Sequence, residues 1–321
     1  MTLPQIDSRF SLKEISAHED RIAPGHRLCA GCGAPIAVRL ILNAIQEPVV
    51  VANATGCLEV ATTIYPFTAW RVPWIHNAFE NAAATISGVE SMYKSLVRQG
   101  KLEDKKVKFV AFGGDGGTYD IGLQALSGAM ERGHEFIYVC YDNGGYMNTG
   151  IQRSGATPMG AATTTTPVGK DSTGKVQYRK DLTAIAAAHG IPYVAQASVH
   201  RWKDLMLKAR KAAHCGGPAF INVLAPSNRG WRMETNVTVE TSELAVESCY
   251  WPLFEVEEGR WKLNYRPRHK EPIEKWLETQ GRFKHLFTDE NRHVIADIQR
   301  EVDIRWTRLL DQCGEPAGHV K

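Results

Sequence analysis

The sequence predicts an α/β protein with a doubly wound, mostly parallel sheet. Short apolar, β-branched runs that end at glycines alternate with amphipathic segments of helical length. In the second half of the chain the alternation is regular, with a helix at 181–189, a strand at 193–197, a helix at 201–214 and a strand at 220–224. Such alternation is typical of parallel sheets whose strands are joined by helical crossovers.

The composition favours one large folded domain with an appendage. The chain has 321 residues, 43% of them hydrophobic, and a formal net charge of +3. A charge this balanced gives no electrostatic case for a nucleic-acid or anionic-membrane partner. No apolar run approaches the ~20 residues of a membrane-spanning helix. Because the N-terminus lacks the apolar core of a signal peptide, we expect a cytoplasmic protein.

We expect three parts along the chain: an irregular charged arm at 1–24, the α/β domain at 25–235, and a C-terminal extension at 236–321. The extension is expected to pack on the domain or to contact another subunit. Within it, residues 251–265 predict a β-hairpin, and Thr288 is expected to cap a final helix. The apolar positions of that helix are Val294, Ile295, Ile298, Val302, Trp306, Leu309 and Leu310.

The first half of the domain is less regular than the second. Its segments, in chain order, are a helix at 34–45, a buried strand at 49–52, the start of a helix at 58–63, an aromatic loop at 65–74, a helix of small residues from about 76 to 97, and, beyond the central unit, a long polar loop at 151–180. Loops of that length inside a compact domain are usually functional or mobile.

The chain is organised around one β–turn–α–β unit. An apolar run at 107–112 is too short for a helix and ends at glycines, so it predicts a buried parallel strand. A helix follows at about 119–132 and is stopped by Gly133. A second buried strand covers 136–141. Polar groups follow both strands, at the edge where open α/β sheets bind ligands.

The spacing of these polar groups indicates a cation. Asp115 and Asn143 each come just after the end of a strand, and neighbouring strands would bring the two side chains together. A carboxylate, an amide oxygen and a nearby carbonyl, for which Gly145 is the candidate, suit Mg²⁺. This ion prefers oxygen and usually keeps a substrate phosphate in its shell. The glycines around Asp115 let backbone amides approach that phosphate.

Two common phosphate sites are excluded. The sequence contains no Gly-Lys-Ser/Thr, so it has no P-loop, and Tyr119 stands where a dinucleotide fingerprint needs its third glycine. Taken alone, Gly-Asp-Gly-Gly at 114–117 also fits a plain strand-to-helix turn. The asparagines and the Asn-Thr-Gly downstream argue against that simpler interpretation.

These residues resemble a known pattern. Gly114-Asp115-Gly116, followed by Asn143 and Asn148-Thr149-Gly150, resembles the thiamine diphosphate motif. More narrowly, DIGLQALSGAMERG with YMNTGIQ resembles the β subunit of pyruvate:ferredoxin oxidoreductase and related 2-oxoacid:ferredoxin oxidoreductases. The resemblance implies the thiamine diphosphate-binding fold and Mg²⁺ held by Asp115, Asn143 and the Gly145 carbonyl. It implies a cofactor-binding set of Gly56, Gly114, Asp115, Gly116, Gly117, Asn143, Gly145, Asn148 and Thr149, of which the last two border the diphosphate.

Three of the seven cysteines form a candidate metal site. Cys29 and Cys32 form a C-x₂-C loop, and Cys57 follows the first strand. Two thiolates on a tight loop are commonly zinc or iron–sulfur ligands. If Cys57 and Asp115 share the carboxyl edge of the sheet, the metal lies near the diphosphate, where a redox cluster fits better than a structural zinc. A structural zinc and plain packing are the alternatives.

The cysteine segments also resemble the ferredoxin-oxidoreductase β subunit. The match covers GHRLCAGCG at 25–33 and NATGCLE at 53–59. The resemblance implies that the cysteines bind a [4Fe–4S] cluster that takes electrons from the thiamine adduct. In that family a fourth cysteine follows a proline in a late loop, whereas here Ser227 follows Pro226. We expect Ser227 at or near the fourth position. The alternatives are a ligand from another chain, an open iron site and an altered cluster.

The other cysteines are expected to be bystanders. Cys215 precedes a late strand and should lie at the opposite edge of the sheet. Cys249 follows a helical segment and is expected to be a packed thiol. Cys140 and Cys313 are expected to be core or surface thiols.

The resemblance implies a reaction and partners. The reaction is oxidative decarboxylation of a 2-oxoacid, with electrons passed to the cluster and on to ferredoxin or a similar acceptor, and with coenzyme A or water releasing the product. The implied partners are an α subunit and ferredoxin-like γ and δ subunits. The activating glutamate is expected on the α subunit, so Glu59 and Glu80 are interpreted as helix residues. His76 and Arg229 are weaker candidates for substrate contact, and a structural role is favoured for His76.

Two rival functions are kept. The same fold serves non-redox decarboxylases and carboligases, but the cysteine trio argues against them because those reactions need no iron. A non-catalytic docking subunit is the third hypothesis, and Asp115 with Asn143 argues against it. Pyruvate is the first expectation for the substrate, because the resemblance covers most of residues 20–255. Oxalate, branched-chain and aryl 2-oxoacids remain alternatives.

Overall fold

The computed structural model describes residues 10–316, and in that range the main sheet has eight strands in the order β10-β9-β7-β8-β4-β3-β1-β2. Strands β1, β2, β3, β4, β7 and β8 are parallel, and the β9–β10 hairpin joins antiparallel to β7. The strands are β1 (Val49–Ala54), β2 (Trp74–Asn77), β3 (Lys108–Gly114), β4 (Ile137–Asp142), β7 (Tyr193–Ser198), β8 (Ala219–Leu224), β9 (Phe254–Glu257) and β10 (Arg260–Leu263), while β5 (Val168–Gly169) and β6 (Ser172–Thr173) pair separately.

Helices cover both faces of the sheet. The α-helices of the described residues are α1 (Leu12–Ala17), α2 (Gly33–Ala44), α3 (Cys57–Thr62), α4 (Ala82–Arg98), α5 (Leu123–Glu131), α6 (Leu182–Ala187), α7 (Trp202–His214), α8 (Asn228–Trp231), α9 (Thr238–Glu247), α10 (Ile273–Glu278) and α11 (Arg292–Gln312). A π-helical turn at Gly117–Ile121 precedes α5, and a 3₁₀ helix covers Gly281–Leu286. None of the helices within residues 10–316 is long and apolar enough to cross a membrane.

Alternate residues of the central strands enter two separate cores. Phe109 and Ala111 of β3 face a core shared with α4, α5 and the C-terminal helices, while Val110 and Phe112 face a core shared with α2 and α7. Every residue of β4, β7 and β8 is buried. Strands buried on both faces read as continuous apolar runs, which is why the sequence predicts them well.

The structure confirms the predicted α/β class and the central unit. Gly133 ends α5 with a φ of 71°, in the left-handed region that glycine adopts most easily. The interpretation missed strand β2. This strand is short and lies at the sheet edge, and Ile75 and His76 are exposed, so neither the apolar run nor the alternation of a core strand is present. The predicted helix from about 76 therefore begins later, at Ala82.

The C-terminal segments follow the prediction with one correction. The hairpin forms, with Glu258 and Gly259 at its turn. All seven apolar positions predicted for α11 are buried. The predicted cap is wrong: Asn291 occupies the position before the helix. Thr288 lies one turn earlier, and its carbonyl oxygen accepts the Arg292 amide.

The long loop at 151–180 is well packed although it contains only the small β5–β6 hairpin. The buried amine of Lys175 donates to the Thr157 carbonyl at 2.5 Å. The Gly155 amide donates to both carboxylate oxygens of Asp120. These contacts hold the loop against the carboxyl edge of β3. Of the predicted arm and extension, residues 1–9 and 317–321 lie outside the described residues.

Candidate cofactor site

The candidate site lies at the carboxyl ends of β1, β3 and β4. Asp115 follows β3 and Asn143 follows β4, its neighbour in the sheet, and the backbone N–H of Asn143 donates to Asp115 Oδ1 at 3.1 Å. Asp115 is fully buried and Asn143 is 5% exposed. The structure therefore brings the two side chains together, as the strand pairing predicts.

Three oxygens converge between these strands. The side-chain oxygen of Asn143 lies 2.9 Å from Asp115 Oδ1 and 3.0 Å from the Gly145 carbonyl oxygen. Hydrogen bonding within the chain favours the opposite orientation of this amide, in which its nitrogen donates to both oxygens, whereas a bound cation would require the amide oxygen to face it. Oxygens held about 2.1 Å from an octahedral Mg²⁺ lie about 3.0 Å from one another. One carboxylate, one amide and one carbonyl thus form a donor set that fits the ion.

The surroundings of Asp115 disfavour a free negative charge. Burial, and then the neighbouring Asp142 carboxylate, raise the pKa of Asp115 well above its usual range. The hydroxyl of Ser154 donates to Asp115 Oδ2 at 2.5 Å. Sequence reasoning missed Ser154, which comes from the long loop and carries no local motif. A bound cation would supply the positive charge that this carboxylate lacks.

Asp142 anchors the loop that carries Asn143. Its Oδ2 accepts hydrogen bonds from the Tyr119 hydroxyl at 2.6 Å and from Arg179 Nη2 at 2.7 Å. Its Oδ1 accepts the Gly144 amide at 3.1 Å. The indole of Trp231 donates to the Asn143 carbonyl at 2.6 Å. These contacts fix the loop from both sides before any ligand binds.

A cleft opens above these side chains. The predicted residues that line it are Gly56, Gly114, Gly116, Gly117, Asn143, Gly145 and Asn148. Asp115 and Thr149, also predicted, are not among the lining residues. Asp115 is fully buried, and the exposed hydroxyl of Thr149 donates to Gln152 Oε1 at 2.5 Å.

Gly116 is needed for close packing in the cleft wall. A Cβ at this position would lie 2.5 Å from the ring of Tyr146, whose hydroxyl donates to the Gly116 carbonyl at 2.8 Å. Tyr146 in turn packs edge-on against Phe79, with ring centroids 5.7 Å apart. This aromatic pair forms one wall of the cleft and was not predicted.

The cysteine loop lies on the Ser227 loop. The amide of Gly33, next to Cys32, donates to the Pro226 carbonyl at 2.9 Å. Cys57 is the first residue of α3, and Cys29 and Cys32 precede α2. The structure thus places all three cysteines near the carboxyl edge that carries Asp115.

The pKa values of Cys32 and Cys57 are raised in the folded chain. Burial, followed by the nearby Cys32 and Cys29, raises the pKa of Cys57 to about 12, and burial raises the pKa of Cys32 to about 11. A bound metal deprotonates a coordinating thiol, and its positive charge offsets the free-energy cost of burying the thiolate. No three His, Cys, Asp or Glu side chains within residues 10–316 are placed to hold a single metal ion.

Ser227 lies beside both candidate sites. It precedes α8 and is 9% exposed, and its hydroxyl makes no capping hydrogen bond to that helix. Trp231, at the end of the same helix, donates to the Asn143 carbonyl. The serine loop therefore touches the cysteine loop through Pro226 and the cation loop through Trp231.

The bystander residues lie mostly as predicted. Cys215 ends α7 and donates to the Ala212 carbonyl, and Cys140 and Cys249 are buried. Glu59 is in α3, as predicted, but Glu80 lies in the turn before α4 and not in a helix. His76 Nδ1 pairs with Glu59 Oε1 at 2.9 Å. Arg229 is exposed in α8.

Known proteins are similar to this chain in sequence and in fold. The family model described as thiamine pyrophosphate enzyme, C-terminal TPP binding domain, matches residues 54–223. The pyruvate synthase subunit PorB of Thermotoga maritima is 53% identical over 316 residues, which cover 97% of this chain and 96% of that protein. The chain belongs to the β-subunit family of 2-oxoacid:ferredoxin oxidoreductases. The predicted family and fold class are thereby confirmed.

Further proteins are similar over most of this chain. PorB of Methanocaldococcus jannaschii is 54% identical over 286 residues, covering 89% of this chain and 95% of that one. The ketoisovalerate oxidoreductase subunit VorB of Pyrococcus abyssi is 43% identical over 293 residues, covering 91% and 93%. The solved 2-oxoglutarate:ferredoxin oxidoreductase of Magnetococcus marinus shares the fold, with a TM-score of 0.54 at 20% identity, over 76% of this chain and 82% of that one.

Proposed function

We propose that this chain is the β subunit of an enzyme that oxidatively decarboxylates a 2-oxoacid with thiamine diphosphate and passes the electrons to ferredoxin. The observation that carries the proposal is the 53% identity to a pyruvate synthase subunit along 97% of the chain. Pyruvate is therefore the expected substrate. VorB, at 43% identity, keeps branched-chain 2-oxoacids as the first alternative.

The cation and the diphosphate would be held by the loops after β3 and β4. Asp115, Asn143 and the Gly145 carbonyl offer three oxygens at the spacing of Mg²⁺ ligands. Asn148 and the glycines line the cleft in which the phosphates would lie. A bound thiamine diphosphate supplies the nucleophilic carbon and the electron sink that decarboxylation needs.

The chain's own contribution is position. Tyr119 and Arg179 hold Asp142, and Asp142 holds the loop that carries Asn143. The Phe79–Tyr146 pair screens one side of the cleft from solvent. A rigid site spends no free energy on reorganisation when charge develops during the reaction.

Cys29, Cys32 and Cys57 would hold an iron–sulfur cluster, with Ser227 at the fourth position. This part of the proposal is supported by the contact between Gly33 and Pro226, which brings the serine loop to the cysteine loop. It is further supported by the proximity of Cys32 and Cys29 to Cys57, which adds to the effect of burial in raising the pKa of Cys57. A cluster bound there supplies a one-electron acceptor close to the cofactor.

Other subunits complete the enzyme in this proposal. The activating glutamate is expected from an α subunit, and ferredoxin-like subunits carry electrons onward, with coenzyme A or water releasing the product. Glu59 is a poor substitute for that glutamate because its carboxylate is buried and paired with His76. Residues 236–321 remain the predicted region of subunit contacts.

The test is anaerobic co-purification of the chain with its partner subunits. We expect stoichiometric thiamine diphosphate, bound iron, and reduction of ferredoxin that depends on pyruvate. Carbon dioxide release without acceptor reduction would identify a non-redox decarboxylase instead. A complex that binds no thiamine diphosphate would contradict the proposal altogether.

A further inference from the structure

Tyr141 has a buried hydroxyl with no partner. This residue of β4 is 2% exposed, and within the described residues no atom forms a hydrogen bond with its phenolic oxygen. Leaving a buried polar group unpaired costs free energy, so such groups are few in native proteins and each calls for an explanation. An unfilled ligand site is one such explanation.

The other fully buried tyrosines of the described chain do not share this feature. The hydroxyl of Tyr119 donates to Asp142 at 2.6 Å, that of Tyr138 lies 3.2 Å from the Thr118 hydroxyl, and that of Tyr193 donates to Glu255 at 2.9 Å. Tyr138 lies on the same strand as Tyr141 but enters the opposite core. Among these four tyrosines, only Tyr141 has a hydroxyl without a partner.

The hydroxyl of Tyr141 lies among the glycine loops of the cleft. A Cβ at Gly56 would lie 2.8 Å from this oxygen, and a Cβ at Gly114 would lie 3.4 Å from it. These two glycines follow β1 and end β3, so the hydroxyl lies at the edge where both strands finish. Tyr141, Gly56 and Gly114 line the same cleft as Asn143 and Asn148.

We propose that the Tyr141 hydroxyl is a hydrogen-bond donor reserved for thiamine diphosphate, which satisfies it on binding. The inference rests on the proposed function, since it names a contact within the same cleft. It assigns to Tyr141 a cofactor-binding role that neither the sequence motif nor the oxygen cluster contains. The glycines at 56 and 114 have a second role in this account, because a side chain at either position would crowd the hydroxyl.

The test compares two tyrosine-to-phenylalanine variants of the assembled enzyme. Thiamine diphosphate and Mg²⁺ are removed under anaerobic conditions, and the iron–sulfur cluster is kept. Tyr141→Phe removes the unpartnered hydroxyl, and Tyr193→Phe removes a buried hydroxyl that already has a partner. Thiamine diphosphate is titrated calorimetrically at saturating Mg²⁺. We expect Tyr141→Phe to raise the dissociation constant by about 3- to 10-fold, the loss of one hydrogen bond, and Tyr193→Phe to leave it unchanged.

Thermal unfolding of the stripped enzyme supplies a second readout of opposite sign. Tyr141→Phe should melt at the wild-type temperature or higher, because it removes a polar group that has no partner. Tyr193→Phe should melt lower, because it removes one of the hydrogen bonds that the buried Glu255 carboxylate accepts. A merely structural role for Tyr141 would lower the melting temperature instead.

Equal affinities for wild type and Tyr141→Phe would overturn the inference. So would an unchanged affinity with an altered reduction potential of the cluster, since the partner would then be a sulfur. A wild-type enzyme that fails to bind thiamine diphosphate would refute the proposed function itself. The two failures are therefore distinguishable.

Discussion

The environment of the Asp115 side chain disfavours its charged form. It is fully buried and lies near a second carboxylate, Asp142, and both features raise its pKa. A carboxyl group whose pKa is raised by folding binds its proton more tightly in the folded state than in the unfolded chain. Its contribution to stability therefore falls as the pH rises above the ordinary aspartate range. A cation that replaces the proton stabilises the charged carboxylate and therefore the folded site.

Replacing Asp115 with asparagine should separate these effects. In the stripped enzyme, Asp115→Asn should leave the melting temperature equal or higher and should flatten its decline with rising pH. Binding of thiamine diphosphate with Mg²⁺ should weaken by more than about 100-fold, because the one carboxylate ligand is gone. Calorimetric titration and pH-dependent thermal melts measure both.

Asp104→Asn is the matched control, since Asp104 is exposed and precedes the opposite end of β3. It should change neither the affinity nor the pH dependence of melting attributed to Asp115. If Asp115→Asn kept the wild-type affinity, the Asp115 carboxylate would not be a ligand of the cation.

Ser227 provides a second test at this scale. If its oxygen is the fourth ligand, Ser227→Ala should lose iron faster than wild type on brief exposure to air, and Ser227→Cys should retain at least as much iron as wild type. Iron per chain and the electron paramagnetic resonance spectrum of the reduced cluster measure the difference. Identical iron retention and spectra in the alanine variant and wild type would show that the serine is not a ligand.

The site residues that follow strands directly were predicted from the sequence, and those that reach the site from distant parts of the chain were missed. Asp115, Asn143 and Gly145 follow strands directly, so local pattern is enough to place them. Ser154 and Trp231 reach the same site from 39 residues beyond Asp115 and 88 residues beyond Asn143. No periodicity or motif links such positions, because the contact exists only once the loops have folded onto the sheet.

At the scale of elements, burial decides which strands the sequence reveals. Strands β4, β7 and β8 are buried throughout and appear as apolar runs. Strand β2 has four residues at the sheet edge and two of them are exposed, so its pairing with β1 left no mark in the sequence. The β9–β10 hairpin was predicted from its turn, but its attachment to β7 was not.

Glu255 fastens that hairpin to the sheet. Its carboxylate is 3% exposed and accepts hydrogen bonds from Lys211 at 2.9 Å, from Tyr193 at 2.9 Å and from Asn264 at 3.0 Å. Although burial alone would raise its pKa, these partners, with Lys211 first, lower the pKa of Glu255 to about 2. The stabilisation is present above the ordinary glutamate pKa of about 4.3 and is lost as the pH falls towards 2.

We expect Glu255→Gln to lower the free energy of unfolding by roughly 2 kcal/mol at pH 7 and by much less at pH 2. Glu240→Gln, at an exposed position of α9, should have little effect at either pH. Denaturant melts of the assembled enzyme at both pH values measure the difference. A loss that is the same at pH 7 and pH 2 would contradict the ion-pair explanation.

At the scale of the whole molecule, the C-terminal extension is connected to the site. Arg305 of α11 donates to the Arg179 carbonyl at 2.7 Å, and Arg179 pairs with Asp142. Helices α10 and α11 share the core that lies against β3 and β4. The sequence predicted the buried stripe of α11, but not the chain of contacts from it to Asp142, because Arg179 belongs to a loop without a motif.

In the proposed enzyme, a magnesium-bound thiamine diphosphate and an iron–sulfur cluster occupy one edge of this sheet. Anomalous diffraction at the iron edge, on crystals of the anaerobically assembled enzyme, tests it most directly. We expect iron among Cys29, Cys32, Cys57 and Ser227, with the diphosphate and its cation between Asp115 and Asn143. Iron found only in other subunits, or a cleft without thiamine diphosphate, would contradict it.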